Sequence, residues 1–222
     1  YEGQRIGNCR WSHAASHSFH PVKIITSGEG GMITTNDDEL AWRIGLLRTH
    51  GITREPGRMA GESHGPWYYQ QLELGFNYRM TDLQAALGAS QMTRLDAFAR
   101  RRREIADLYD RELSHLPLRP LARDPRGISG WHLYMIRLDL DAIRPRTRRQ
   151  VFESLRAQGI GVNVHYIPVH LQPDYQRLGF TAGMFPEAER YYEEAITLPM
   201  FPAMSDDDVR RVRAALEAAL AA

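Results

Sequence analysis

Between Trp131 and Leu220 the pattern of apolar residues changes period repeatedly, and this alternation constrains the fold more than any other feature of the chain. Trp131–Leu138 reads as a strand. Thr147 then stands where a helix needs a side-chain cap, the helix runs to about Gln158, and Gly159 ends it. Ile160–Tyr166 alternates apolar residues and reads as a second strand. Ser205 with Asp206–Asp208 opens a last helix toward Leu220, its acidic first turn complementing the free amides there. Strand, helix, strand, helix predicts an α/β layer domain.

The first half is patterned differently. Ala14–Phe19 reads as a short buried strand, made unusually polar by Ser16 and His17. Gly28–Gly31 reads as a turn and Met32–Thr35 as a second strand. Asn36 is placed to cap a helix carrying Leu40, Ile44 and Leu47 on one face, with Glu39 in capping-box position. From Gly51 to Gly75 there is no periodicity, only Gly, Pro, His and the aromatics Trp67, Tyr68 and Tyr69; a connection that long is expected to be functional or interfacial. Thr81-Asp82-Leu83-Gln84 is a helix start, and helical pattern persists through Arg100–Arg103 to about Leu113. The boundary between the two regions is expected near residue 100.

Composition excludes several classes. A formal net charge of +1 gives no electrostatic reason to bind nucleic acid or an anionic membrane. Arg100–Arg103 is followed by acidic residues and reads as a solvated helix face. One cysteine, Cys9, cannot form an intramolecular disulfide or a cysteine-based zinc site, and the nine histidines show no paired metal spacing. No metal is expected. No apolar run reaches membrane-spanning length, and the expected setting is the cytoplasm. Tyr1-Glu2-Gly3-Gln4-Arg5 reads as the middle of a surface turn, which suggests a piece of a larger protein.

Of the 28 lysines and arginines, only Lys23 is a lysine. Guanidinium replaces ammonium wherever a positive charge is enough, but it cannot lose its proton to become a nucleophile. A lone lysine after a strand, in Ser18-Phe19-His20-Pro21-Val22-Lys23 and ahead of Gly28-Glu29-Gly30-Gly31, therefore points to amine chemistry such as a Schiff base with a carbonyl cofactor. A hydroxyl at Ser18 could bond a phosphate oxygen. Taken singly, Ser18, Asn77, Arg79, His165 and Tyr166 each read as ordinary structural residues.

Jointly they do not. Ser18–Lys23 with Gly28–Gly31, and the run Gly75-Phe76-Asn77-Tyr78-Arg79-Met80-Thr81-Asp82-Leu83-Gln84-Ala85-Ala86-Leu87-Gly88, resemble two motifs of the DegT/DnrJ/EryC1/StrS sugar-nucleotide aminotransferases. More narrowly, Glu62–Tyr69 and Asn163–His170 resemble the branch that aminates a sugar nucleotide for pseudaminic acid synthesis. The resemblance implies an α/β fold: the C-terminal part of a fold type I aminotransferase dependent on pyridoxal phosphate. Residues 1–100 would be the remainder of the large cofactor-binding domain, and 101–222 a small C-terminal α/β domain.

The same resemblance implies roles. Lys23 would carry the cofactor and shuttle protons as the catalytic residue. Ser18 would contact the cofactor phosphate, and Asn77 would reach the phosphate of a neighbouring subunit in a homodimer. Arg79 would meet the diphosphate of a UDP-sugar, while Asn163, Val164, His165 and Tyr166 would line the sugar-nucleotide pocket. L-Glutamate would donate the amino group to C4 of a UDP-4-keto-6-deoxy-N-acetyl sugar.

Three departures matter. Ser16 and His17 stand where family members carry apolar residues, which predicts a weakened strand; Asp174 stands where tyrosine is usual, at the pocket rim. The family's chains are about twice as long, and the part not represented supplies a glycine turn, a stacking ring and an aspartate for the cofactor ring. This chain alone is therefore expected to be inactive, with a non-catalytic oligomerising or sugar-nucleotide-binding remnant as the alternative. A dehydratase of the same fold is disfavoured, because such relatives carry histidine at the position of Lys23.

Overall fold

A computed structural model describes residues 1–221. Contacts divide it into Tyr1–Leu95 and Asp96–Ala222.

In the first unit, β1 (Ala14–Ser18) pairs antiparallel with β2 (Gly31–Thr35), followed by α1 (Asp38–Leu47), β3 (Ile52–Thr53), β4 (Gln70–Gln71) and α2 (Asp82–Met92). Ser16 and His17 sit within the β1–β2 ladder, opposite Ile33 and Met32. The strand forms with both of them because it is half-exposed, not buried as the pattern suggested; Ser16 faces water, and the His17 ring lies 3.4 Å from Thr34 Oγ1. The helix cap is Asp37, one residue beyond the expected Asn36, and its carboxylate accepts the Leu40 amide at 3.0 Å. The Asn36 side chain instead reaches back to Asn8 O.

The aperiodic stretch between Gly51 and Gly75 is a hairpin in disguise. β3 pairs antiparallel with β4, and the Gln70 amide grips both the amide and the carbonyl of Ala60 across the loop. The hairpin base is a crossing that only glycine permits: a Cβ on Gly51 would lie 1.8 Å from Glu73 O, and one on Gly75 2.2 Å from Gly51 N. Residues 76–78 are thereby laid along the end of α1, through Phe76 N to Leu47 O and Tyr78 N to Arg48 O. Thr81 caps α2 with the full reciprocal box to Gln84, as its sequence foretold.

In the second unit α3 (Leu95–Glu112) is separate from α2, the expected long helix breaking at Thr93–Arg94. β5 (Leu118–Pro120), β6 (Tyr134–Leu138), α4 (Arg148–Ala157), α5 (Pro173–Arg177), α6 (Pro186–Glu194), β7 (Ala195–Leu198) and α7 (Asp206–Ala221) follow. The three strands form an antiparallel sheet in the order β5-β6-β7. Tyr134, Ile136 and Leu138 of β6 face a core with Ile105 and Tyr109 of α3, Val151 and Leu155 of α4, and Val209 and Leu216 of α7. Complete burial of an aliphatic side chain in such a core contributes about 1.5–3 kcal/mol. On the opposite face Met135 accepts the Tyr191 hydroxyl of α6, and Arg137 pairs with Glu194 at 2.7 Å.

Ile160–Tyr166 is not a strand. Asn163 alone makes a two-bond bridge to Thr197, after which the chain leaves β7 toward Pro168. The strand that pairs with β6 here is β7, a buried apolar run with one hydroxyl. At the end of the β6–β7 ladder the fully encircled Arg102 donates to Trp131 O, His132 O and Met200 O, satisfying carbonyls that no strand reaches.

Candidate active site

The loop joining β1 to β2 is closed by short-range hydrogen bonds. Phe19 N donates to Gly30 O at 2.8 Å, and Ser27 N and Thr26 Oγ1 both donate to Phe19 O at 3.0 Å. Ser27 Oγ donates to Glu29 O, and Gly30 is needed because a Cβ there would lie 2.3 Å from Ser27 Oγ and 2.7 Å from Met80 Cε. Ser27 is 1% exposed and Ile25 7%, so the loop has a packed base.

Inside it, Lys23 N donates to His20 O at 3.0 Å and closes a turn over Pro21 and Val22. The Lys23 side chain is half-buried, and its amine makes no hydrogen bond or ion pair among the described residues. Ser18 ends β1 with an exposed hydroxyl, which among the described residues accepts a hydrogen bond from the His20 amide at 3.5 Å. A primary amine and a hydroxyl, at the end of β1 and in the hydrogen-bonded loop after it, fit a phosphorylated aldehyde as ligand: one can bond its carbonyl carbon, the other its phosphate.

Asn77 and Arg79 lie on the exposed strap between Gly75 and α2, and neither side chain has a hydrogen bond or ion pair among the described residues. The strap fixes Asn77 by its backbone, through a bridge to Thr49. Arg79 offers an unpaired planar guanidinium of the kind that grips phosphate oxygens bidentately.

In the second unit Asn163, Val164, His165 and Tyr166 form one turn. Asn163 Oδ1 accepts the Val164 amide at 2.8 Å. His165 Nδ1 lies 2.7 Å from Thr197 Oγ1, and its Nε2 lies 3.4 Å from Asn163 Nδ2. Burial pushes the imidazole below its ordinary value. The peptide linking His165 to Tyr166 is cis, the Tyr166 ring stands edge-on to the imidazole at 4.5 Å, and Tyr166 is 70% exposed. Two further residues were not anticipated: Thr197, the single hydroxyl in the buried run Ala195–Leu198, and Tyr191, whose hydroxyl, shared with Met135 Sδ, lies 3.3 Å from His165 O. A lone hydroxyl in an otherwise apolar strand was the available signal for Thr197.

Beside this turn, His170 is buried and bonded to Glu189 at 2.8 Å. The His170 hydrogen bond holds the Glu189 carboxyl below its ordinary value, and the same carboxylate accepts the Gly183 amide. Asp174, at the expected rim, pairs with Arg177 one turn on in α5.

The sequence profile of the DegT/DnrJ/EryC1/StrS aminotransferase family matches residues 1–217. The chain belongs to that family. Members are pyridoxal phosphate-dependent sugar aminotransferases. The chain is 40% identical over 211 residues to the uncharacterized protein MJ1066 of Methanocaldococcus jannaschii, a match covering 94% of this chain and 54% of that one. Its fold superposes on the putative sugar aminotransferase Spr1654 of Streptococcus pneumoniae in its PMP form, with a TM-score of 0.87 and 30% identity, over 99% of this chain and 54% of that one. It superposes likewise on Helicobacter pylori PseC, an aminotransferase of pseudaminic acid biosynthesis, with a TM-score of 0.86 and 29% identity, over 99% and 56%. The α/β fold is thus that of part of a fold type I aminotransferase, and the chain spans about half the length of the relatives it matches.

Proposed function

We propose that the whole protein is a cytoplasmic, homodimeric transaminase that moves an amino group from L-glutamate to C4 of a UDP-4-keto-6-deoxy-N-acetyl sugar, in pseudaminic acid biosynthesis. The observation that carries the reading is the half-buried, unpartnered amine of the only lysine, held in a hydrogen-bonded loop. Pyridoxal phosphate, when bound, supplies an aldehyde that takes up amino groups and a ring that spreads negative charge. Lys23 Nζ would hold the cofactor through its aldehyde and, once freed, would serve as the group that takes up and returns a proton. A lysine amine suits this step because it can be neutral, and the turn over Pro21 and Val22 keeps it in place. Ser18 Oγ donates to the cofactor phosphate, and Asn77 contacts the phosphate in a neighbouring subunit. Arg79 holds a diphosphate oxygen pair, and Asn163, Val164, His165 and Tyr166 contact the sugar nucleotide. Resemblance to PseC supports the pathway, and residues 1–100 and 101–222 are proposed as the remainder of the cofactor-binding domain and the small domain.

The test is reduction with borohydride after incubation with pyridoxal phosphate, followed by peptide mass mapping. Added mass is expected on the peptide containing Lys23 and absent from Lys23→Arg. Label on other amines with none on the Lys23 peptide would overturn the reading. Release of 2-oxoglutarate from L-glutamate, dependent on the keto sugar nucleotide, tests the acceptor separately.

One observation favours a second reading, an oligomerising or sugar-nucleotide-binding piece without chemistry: α2 buries none of its residues and leaves Leu83 86% exposed. Such a piece would associate yet show no label at Lys23.

A further inference from the structure

His165 is gripped at both ring nitrogens, and the grip determines which nitrogen carries the proton. The Asn163 amide cannot turn freely, because its Oδ1 accepts the Val164 N–H at 2.8 Å. That leaves the Nδ2 amino group, a donor only, facing His165 Nε2 at 3.4 Å. Two N–H donors cannot face each other, so Nε2 carries a lone pair. In a neutral imidazole the proton then sits on Nδ1, where it meets Thr197 Oγ1 at 2.7 Å. Burial, which pushes this imidazole below its ordinary value, keeps it neutral.

The two ends of the grip differ. Thr197 is 5% exposed, held in β7 and bonded through both backbone groups to Asn163, so the Nδ1 end is rigid. Asn163 is exposed and its contact to Nε2 is long, so a better donor arriving from solvent displaces it.

We propose that His165 meets its ligand as a hydrogen-bond acceptor through Nε2, with Thr197 as the positioning residue that holds this tautomer; the ligand half rests on the sugar-nucleotide role proposed above. An acceptor at Nε2 selects a donor: a sugar hydroxyl or an acetamido N–H. It excludes the diphosphate and any carbonyl oxygen from that position, since those groups only accept. Replacing a designed donor by an acceptor leaves two lone pairs opposed in a half-buried site, the kind of mismatch on which recognition of closely related sugars is built.

Long-range 1H–15N spectra of the labelled protein test the proposal, with His165 assigned through His165→Gln. At neutral pH the wild-type ring is expected to show a pyridine-like Nε2 and a pyrrole-like Nδ1. Thr197→Val should lose that pattern through transfer of the proton to Nε2 or through tautomer exchange, and Thr197→Ser should restore it. The wild-type spectrum decides the tautomer even if the valine variant unfolds: a protonated Nε2 overturns the proposal, as does a valine variant that is folded and unchanged. UDP-N-acetylglucosamine is then titrated beside UDP alone. A shift of Nε2 with the sugar nucleotide but not with UDP supports recognition of a donor on the N-acetyl sugar, and an equal shift with both overturns it, since UDP lacks that sugar. The expected tautomer with no response to either probe overturns the pocket role of His165 while leaving the Thr197 grip standing, so the two failures are distinguishable.

Discussion

The two units of this chain solve the problem of order in opposite ways. Asp96–Ala222 is organised by burial, with Ile105, Tyr109, Ile136, Val151, Leu155, Ile196, Val209 and Leu216 withdrawn from water around one sheet face. In Tyr1–Leu95 the buried apolar residues among those described are Ile25 and Leu46, while Leu74, Tyr78 and Leu83 are more than 70% exposed. Its geometry is carried instead by local hydrogen bonds: the Phe19–Gly30 closure, the Gln70 bridge to Ala60, and the cap on α2. The comparison teaches that the amine-bearing loop takes its shape from its own turns, whereas the His165 grip is borrowed from a packed core through Thr197.

Unfolding measurements on matched substitutions sharpen the contrast. Leu216→Ala, which opens a cavity in the second unit, is expected to cost about 2–5 kcal/mol in denaturant titration. Arg102→Met comes next at about 2–3 kcal/mol, because the buried Met200 carbonyl and the part-buried Trp131 and His132 carbonyls lose their donor. Thr81→Ala should cost about 1 kcal/mol, the usual worth of a side-chain cap. Leu83→Ala, equal in chemistry to the first change but 86% exposed, should shift stability by less than about 0.5 kcal/mol. A large effect of Leu83→Ala in the isolated chain would break the comparison.

Acid provides a gentler probe. Glu189 and Asp208 titrate below their ordinary values, held there by His170 and by Ser205 respectively. A carboxyl with a lowered folded value stabilises above its unfolded value and loses that contribution as pH falls through the folded one. Stability of the second unit should therefore decline as pH drops below about 4.5, and Glu189→Gln should flatten the decline. Unfolding midpoints between pH 7 and pH 3 would check both.

Much of this was legible beforehand wherever a signal is contained within a few residues. The boxes at Thr81 and Thr147 are written as threonine and glutamine three positions apart, and both form. The glycine turn before β2 and the singular Lys23 were equally plain. The errors fall where a partner is distant in sequence. Ile160–Tyr166 alternates like a strand, but only Asn163 reaches β7 before the chain departs. Ala14–Ser18 is a strand, though not a buried one. The stretch after Gly51 hides its pairing because two-residue strands carry no period to detect.

Chemistry was likewise divisible. Sequence alone determined that the chain carries a single primary side-chain amine among arginines, and it determined the family through contiguous motifs. Tertiary structure alone decided how the side chains are presented: that the Lys23 amine has no hydrogen bond or ion pair among the described residues, that Arg102 donates to three carbonyls, and that Thr197 orients the ring of His165. The physical reason is range. Caps, turns and reactive groups are satisfied within a few bonds along the chain, but a hydrogen bond between residues 32 apart exists only once packing has brought their strands together.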